Sequence, residues 1–397
     1  MRVVHAFSGN LYGGIESALS TLGRYRDRAN GLDQQFATCF DARLADELRS
    51  SGAEVEVFGP AKFARPWTLL AARTKFRRLL MRSKPDVVIC HGAWAHAICG
   101  PAARRLGIFL AYWQHDLIAP GAIQGVGVIE GWRRRPYRFE RIAARTRPDL
   151  VIANSHFTAT TTPEMFPGVA VDVVYCPVET RPPTSNPSSL RSEVRRELKT
   201  PEDAVVIAMT CRLEACKGHG ILLSALALLR DRPNWIMWIA GGVQRAKDHA
   251  YLDGLIASAE SLGITDRVCF LGQRSDVPRL LNAADIFCQP NIGPESFGIA
   301  FVEAMGAALP VITTRIGGAI EVVNEECGLL VPPDDPQALA EALGQLIDDP
   351  GLRRSLGAAG PERSRSLCDP VMILDRLEAV LHSTKGARLA APQPLPA

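Results

Sequence analysis

Asn291-Ile-Gly-Pro-Glu295-Ser-Phe-Gly-Ile-Ala-Phe-Val-Glu303-Ala-Met-Gly-Ala-Ala-Leu-Pro310-Val-Ile-Thr-Thr314-Arg-Ile-Gly317-Gly318 is the stretch that decides how this chain folds. The apolar run Ile286-Phe287-Cys288 precedes it and ends at Gln289-Pro290. A Gly/Pro/Asn turn follows, then Glu295, then Ser296 in position to cap a helix. The helix pattern carries Glu303, eight residues after Glu295. Beyond Pro310, Val311–Thr314 has the pattern of a buried strand, and Gly317-Gly318 that of a turn. The order strand, loop, helix, strand is predicted.

That order has a specific chemistry. Backbone N–H groups of Ser296, Phe297, Gly298 and Ile299 would be unpaired at the helix start, an end that carries about half a positive charge and suits a phosphate. Gly298 lets a ligand approach the backbone. Glu303 would lie about 9 Å further along the axis, at ~1.5 Å per residue. A carboxylate accepts two hydroxyl hydrogen bonds at once, as a ribose diol requires. Two carboxylates with phosphate-binding N–H groups between them match a sugar nucleotide.

With Pro-Glu295-Ser-Phe-Gly-Ile-x3-Glu303-Ala in place, the chain resembles the large family of retaining glycosyltransferases with the two-Rossmann GT-B fold, which includes bacterial lipid and lipopolysaccharide glycosyltransferases and sucrose synthase. The resemblance implies that Glu303 holds the nucleotide ribose and that Glu295 contacts the transferred sugar. It covers most of residues 1–382, densely in the second half and more loosely in the first.

A chain of 397 residues fits two domains. An apolar content of 47% with 22% charged residues describes a globular protein. The net charge of +3 is uneven: residues 1–180 hold 23 Lys/Arg against 16 Asp/Glu, and residues 181–397 hold 22 against 26. The first half is therefore the one suited to an anionic partner. Ten cysteines without CxxC pairs read as buried reduced thiols. Arg2-Val-Val-His-Ala-Phe reads as a first strand rather than a signal peptide, and no apolar run reaches the ~20 residues of a membrane span. A cytoplasmic location is expected.

The chain opens with a strand (Val3–Phe7), a glycine loop and a helix pattern (Ile15–Tyr25), a Rossmann-type start. The loop is not GxGxxG, so a nicotinamide cofactor is not indicated. Gly13-Gly14-Ile15-Glu16 matches the family's Gly-Gly-x-Glu, which implies that Gly13 and Gly14 face the donor phosphates or the acceptor. From Lys62 to Lys84 there are eight basic residues and no acid, interleaved with Phe63, Trp67, Leu70, Phe76 and Met81. This segment reads equally as a core-facing helix with a solvated basic face and as one lying on an anionic membrane. His91 and His115 stand at the ends of predicted strands, where ligands of open α/β sheets bind. The resemblance places His115 near the donor sugar and leaves His91, His96 and Asp116 as weaker candidates. Residues 132–147 form a second basic-aromatic segment suited to acceptor phosphate or lipid headgroups; no nucleic-acid motif accompanies it.

The Pro/Ser/Asn-rich stretch near residues 181–187 marks a domain boundary. The second half restarts with the strand Ala204–Met209, followed by Arg212-Leu-x3-Lys217-Gly218. Two cations after a strand can clamp a diphosphate, and the family carries this motif at the donor diphosphate. Cys211 stands where the family often has glycine. Gly241 and Gly242 are placed by the resemblance toward the nucleotide, and Gln273 with Arg274 toward the base.

The fold expected is therefore α/β, GT-B: two Rossmann-like doubly wound domains facing across a cleft. Residues 1–180 would bind acceptor and 181–368 the nucleotide sugar. Residues 369–397 would form a helix crossing back to the first domain, with a disordered tail from Ser383. The expected activity is retaining transfer of a hexosyl group from a nucleotide diphosphate sugar to a carbohydrate or lipid-linked acceptor. No cofactor or metal is expected, since Arg212, Lys217 and the helix start would neutralise the diphosphate. The catalytic candidates are His115, Glu295, Arg212 and Lys217. A non-catalytic sugar-nucleotide binder and a sugar-nucleotide epimerase of the same fold are the alternative readings, and peripheral attachment to the inner face of the membrane is the alternative location.

Overall fold

The computed structural model describes residues 1–28, 31–62, 64–120, 138–180 and 187–390. Outside them lie residues 121–127, a glycine-containing loop by sequence, and several readings given above: Phe63, the Trp132–Tyr137 part of the second basic segment, the stretch from Pro182 to Asn186, and the tail beyond Ala390. The chain divides into two compact units, Met1–Pro177 with Pro370–Ala397, and Val178–Asp369.

The first unit contains strands β1 (Arg2–Phe7), β2 (Asp33–Thr38), β3 (Val55–Val57), β4 (Val87–His91), β5 (Phe109–Gln114), β6 (Leu150–Ala153) and β7 (Ala170–Val173). They form one parallel sheet in the order β3-β2-β1-β4-β5-β6-β7. A parallel sheet must be covered on both faces, which is why Val87-Val88-Ile89-Cys90 is a continuous apolar run. One face is covered by the helices Gly14–Tyr25, Arg43–Ser50 and Pro370–Ala390, through Leu19, Leu22, Leu44, Leu48, Leu374 and Leu377. The other is covered by Pro66–Ser83 and Gly92–Arg105, through Phe76, Leu79, Leu80 and Ile98.

The last helix thus belongs to the first unit. Ile373, Leu374, Leu377, Val380 and Leu381 fall on one stripe at helical spacing and enter its core. The helix runs on to Ala390 and corrects the expectation of disorder from Ser383. The hydroxyls of Ser383 and Thr384 donate to the Val380 carbonyl at 3.1 and 2.9 Å, and Lys385 Nζ reaches Asp86 at 2.6 Å. These contacts hold the extra turns, and their polar residues concealed the continuation from an apolar pattern.

The second unit contains β8 (Val205–Thr210), β9 (Trp235–Ala240), β10 (Val268–Gly272), β11 (Ile286–Gln289), β12 (Val311–Thr314) and β13 (Gly328–Val331). The parallel order is β10-β9-β8-β11-β12-β13, the 3-2-1-4-5-6 arrangement of the Rossmann fold. The order reverses between β8 and β11, and in the first unit between β1 and β4. Those two points are where the carboxyl ends of neighbouring strands part and a ligand crevice opens.

One buried cation explains the Ala283-Ala284-Asp285 sequence directly before β11. Arg195, fully buried on the helix Pro187–Glu197, donates to the carbonyls of Ala283, Pro201, Glu202 and Ala204 and to Asp285 at 2.7 Å. Asp285 also takes Arg191 at 2.8 Å and the Val206 N–H at 2.7 Å. A buried charge is tolerable when it is paired and fully hydrogen-bonded in this way. Asp285 therefore ties the start of β8 to β11 at the end of the sheet opposite the crevice.

Candidate functional site

At the carboxyl ends of β8, β9, β10 and β11, four loops pack so closely that glycine is required. Gly218 has φ +82°, and a Cβ there would lie 1.8 Å from the Pro290 carbonyl oxygen. A Cβ on Gly241 would lie 2.2 Å from the Cys211 carbonyl oxygen, and one on Gly242 2.3 Å from the Gln273 side chain. The Ile292 N–H donates to the Cys216 carbonyl at 3.0 Å, joining the loop after β8 to the loop after β11. The motif residues Arg212, Lys217, Gly241, Gln273 and Glu295 are thereby gathered at one end of one sheet.

Glu295 is the centre of this gathering. Its Oε2 accepts from Lys217 Nζ at 2.6 Å, Asn291 Nδ2 at 3.1 Å and Gln289 Nε2 at 3.4 Å. Asn291 and Gln289 are themselves nearly inaccessible and bonded to each other at 3.0 Å. Burial pushes the Glu295 carboxyl up, but the Lys217 charge and the hydrogen bonds from Lys217, Asn291 and Ser296 outweigh it and hold it below its ordinary 4.5. Burial pulls the Lys217 ammonium down; Glu295 outweighs that and holds it above 10.5. Both groups are charged at neutral pH. Arg212 lies at the rim, 3.0 Å from Glu214 and more than a third exposed.

The helix start differs from expectation. Ser296 is not the cap: the helix spans Ile299–Gly306 and its N-cap is Gly298, at φ +101°. The Glu295 carbonyl accepts from Gly318 N–H at 2.7 Å, and Glu295 bridges Gly317 as a strand would. This holds Glu295 in a strand-like pairing and delays the helix by a few residues. The Ser296 N–H bonds the Glu295 carboxylate instead of pointing at a ligand. Phe297 is buried, and a Cβ on Gly298 would lie 2.2 Å from the Phe301 ring. Glu303 sits half-buried on this helix, about 6 Å along the axis from Ile299.

Arg274 is committed elsewhere: it pairs with Asp276 and Glu197 at 2.8 and 2.9 Å. The Cys211 thiol is pushed up to about 12 by burial, and its sulfur lies 3.6 Å from His219 Nε2. It is a packed thiol rather than a nucleophile.

In the first unit, Gly13 is the extended N-cap of the helix Gly14–Tyr25, and its N–H donates to Glu16 at 3.0 Å. Glu16 of the Gly-Gly-x-Glu motif thus secures the helix start. His115 directly follows β5 and is buried. Its Nε2 lies 3.0 Å from Nδ1 of His91, whose Nε2 lies 2.9 Å from Nδ1 of His5. Burial lowers His5 to about 4 and His115 to about 3, and lowers His91 as well. His96 turns into the core against Tyr112 and Phe166, with Nε2 2.7 Å from the Thr146 carbonyl, and is structural. Sequence reasoning missed His5, Gln289 and Asn291, because a lone polar residue inside or just after an apolar strand carries no pattern.

Among the described residues, no helix is long and apolar enough to cross a membrane, and no group of three or more His, Cys, Asp or Glu is placed to hold a metal ion. The helix Pro66–Ser83 buries Ala72, Phe76, Leu79 and Leu80 and exposes Trp67, Leu70 and Met81 beside Arg77 and Arg78.

Glycosyl transferases group 1 matches residues 191–363, and Glycosyltransferase Family 4 matches residues 12–181. The D-inositol 3-phosphate glycosyltransferase of Corynebacterium glutamicum is 37% identical over 195 residues, 48% of this chain and 46% of that protein. The chain thus spans about half the length of such curated relatives. The GDP-mannose-dependent alpha-(1-6)-phosphatidylinositol monomannoside mannosyltransferase of Mycolicibacterium smegmatis is 28% identical, over 88% of this chain and 89% of that one. Among solved structures, Anabaena Alr3699/HepE in complex with UDP-glucose superposes with a TM-score of 0.80 at 25% identity, covering 96% of this chain and 100% of that one.

Proposed function

The chain belongs to the glycosyl transferases group 1 family, and from that premise we propose that it moves a hexosyl group from a nucleotide diphosphate sugar to an acceptor hydroxyl with retention of configuration. The observation that carries the reading is the second-unit cluster: Glu295, fixed by Lys217, Asn291 and Gln289 at the β8/β11 switch point, with Glu303 on the helix that follows.

Each group has a role by its chemistry. Glu303 takes the ribose diol. Arg212, Lys217 and the N–H groups at Gly298 and Ile299 neutralise the diphosphate as it leaves, in place of a metal ion. Gly241 and Gln273 border the nucleotide. Phe297 packs beneath the helix start, and Ser296 fixes Glu295. Glu295 meets the sugar as a hydrogen-bond acceptor. An ammonium and two amides already occupy its Oε2, which lowers its nucleophilicity and favours same-face attack over a glycosyl-enzyme. In that step the C1–O bond breaks with its electron pair going to the leaving phosphate. The acceptor oxygen bonds C1 on the same face, and its proton passes to that phosphate. The resemblance assigns His115 to the sugar, and Gly13 and Gly14 to the phosphates or the acceptor.

The acceptor is read as anionic. Relatives named for D-inositol 3-phosphate and phosphatidylinositol monomannoside, and the basic excess of residues 1–180, support this. A lipid-linked acceptor fits the exposed Trp67, Leu70, Arg77, Arg78 and Met81 stripe, which suits an anionic membrane surface. Binding to anionic vesicles at low salt, lost on Arg77→Glu/Arg78→Glu, is expected; no binding at low salt removes the membrane part alone.

The activity is tested by incubating nucleotide sugars with inositol phosphates and glycolipid acceptors and following nucleoside diphosphate release and product anomers. Retained configuration with full activity in EDTA is expected. An inverted product or a trapped glycosyl-enzyme would overturn the mechanism. Nucleotide binding without turnover on any acceptor would favour the non-catalytic reading.

A further inference from the structure

We propose that Gln34, His5, His91 and His115 form one hydrogen-bonded relay that sets the tautomer of His115 from within the first sheet. The arrangement follows from strand register. Gln34 on β2 pairs with Val3, two residues before His5 on β1. His5 lies level with Ile89, two before His91 on β4. His91 pairs with Trp113, two before His115. Each step crosses one strand and climbs two residues, the same-face diagonal of about 7–8 Å that long or aromatic side chains span. The line therefore runs from near the amino end of β2 to the carboxyl edge of the sheet.

The polarity of the line has a single source. Gln34 Oε1 lies 3.2 Å from His5 Nε2. An amide oxygen only accepts, so His5 carries its proton on Nε2 and leaves Nδ1 as a lone pair. His91 Nε2, at 2.9 Å, must then donate to it, and His115 Nε2, at 3.0 Å, must donate to His91 Nδ1. His115 ends with an unprotonated Nδ1. Among the described residues nothing bonds that atom. Burial keeps all three rings neutral at pH 7, so no imidazolium interrupts the order. Ring planes are fixed by stacking: His5 on Phe36, and His91 and His115 on Trp113. The nitrogens pair one to one along a line and do not converge, so this is not a set of metal ligands.

His5, His91 and Gln34 are thus positioning residues. They make His115 Nδ1 an obligate acceptor, suited to a ligand hydroxyl. That the hydroxyl belongs to the transferred sugar rests on the proposed function; the tautomer itself does not.

The test is ring-nitrogen NMR on the full-length protein with 15N-labelled histidine, at neutral pH and without substrate. Wild type should show His5, His91 and His115 all neutral with the proton on Nε2. Gln34→Leu should convert His115 to a mixture of tautomers, although His115 does not touch residue 34, while the unrelated His96 signal stays unchanged and reports an intact fold. A wild-type His115 protonated on Nδ1 would overturn the proposal without any variant. So would a His115 signal in folded Gln34→Leu identical to wild type. The spectra need no donor, acceptor or turnover, so they stand or fall apart from the transferase reading.

Discussion

Glu295 and Lys217 combine two opposed demands, burial and charge, and their response to pH follows. The folded carboxyl is depressed below 4.5, so its stabilising contribution is complete above that value and is lost as pH falls through the lowered one. The ammonium is raised above 10.5, so its contribution is complete below 10.5 and is lost as pH rises through the raised value. Replacing one partner of a buried pair costs about 3 kcal/mol, because the other is left unpaired. Glu295→Gln should therefore be less stable than wild type by a constant amount from about pH 6 to about pH 9, with the gap closing in acid. Denaturant titrations at a series of pH values check this, and a pH-independent gap would contradict it. Gly218→Ala tests the loop geometry. Its Cβ would meet Pro290 backbone at 1.8 Å with φ at +82°, so the loops must part. Nucleotide affinity should fall about tenfold or more, a change of ~1.4 kcal/mol or greater. At this scale the motif residues were legible, because charge types at fixed spacing after strands carry chemistry. Gln289 and Asn291 were not, since only tertiary packing reveals that their amides turn onto Glu295.

Helices and strands obey burial more than local preference. The helix Pro370–Ala390 completes the first core, so Leu377→Ala should destabilise that unit by about 3 kcal/mol, read from thermal or urea unfolding. Buried histidines add an acid limb. His96 is lowered from 6.5 to about 4 by burial, so its contribution is complete above 6.5 and is lost as pH falls toward about 4. Wild type should lose stability over that range, and His96→Phe should flatten the slope by up to one proton, ~1.4 kcal/mol per pH unit. An unchanged slope would mean that His96 protonates in the folded state as it does in the unfolded. The strands Val205–Thr210 and Val311–Thr314 were legible because buried parallel strands are continuous apolar runs. The helix Ala246–Ser261 was not, since only Leu255 and Ala259 of its described side chains are fully buried apolar ones, and Tyr251, Leu252 and Ile256 are partly buried among polar and small residues. Ser296 was misplaced as a cap because the pairing of Glu295 with Gly317 is a long-range contact that local preference does not contain.

Over the whole molecule, alternating strands and helices made two parallel α/β sheets legible, while the 3-2-1-4-5-6 order emerges only from strand pairing. That order matters because it places the switch point of the second unit at Arg212, Lys217 and Glu295. The central claim is that this switch point binds a nucleoside diphosphate through Glu303. Calorimetric titration of wild type and Glu303→Ala with UDP, GDP, ADP, CDP and dTDP tests it most directly. A charged hydrogen bond is worth ~1.5–3 kcal/mol, so one of these nucleotides should bind wild type and bind the variant roughly ten- to a hundredfold more weakly. Wild type binding none of them, or the variant binding as tightly as wild type, would contradict the account.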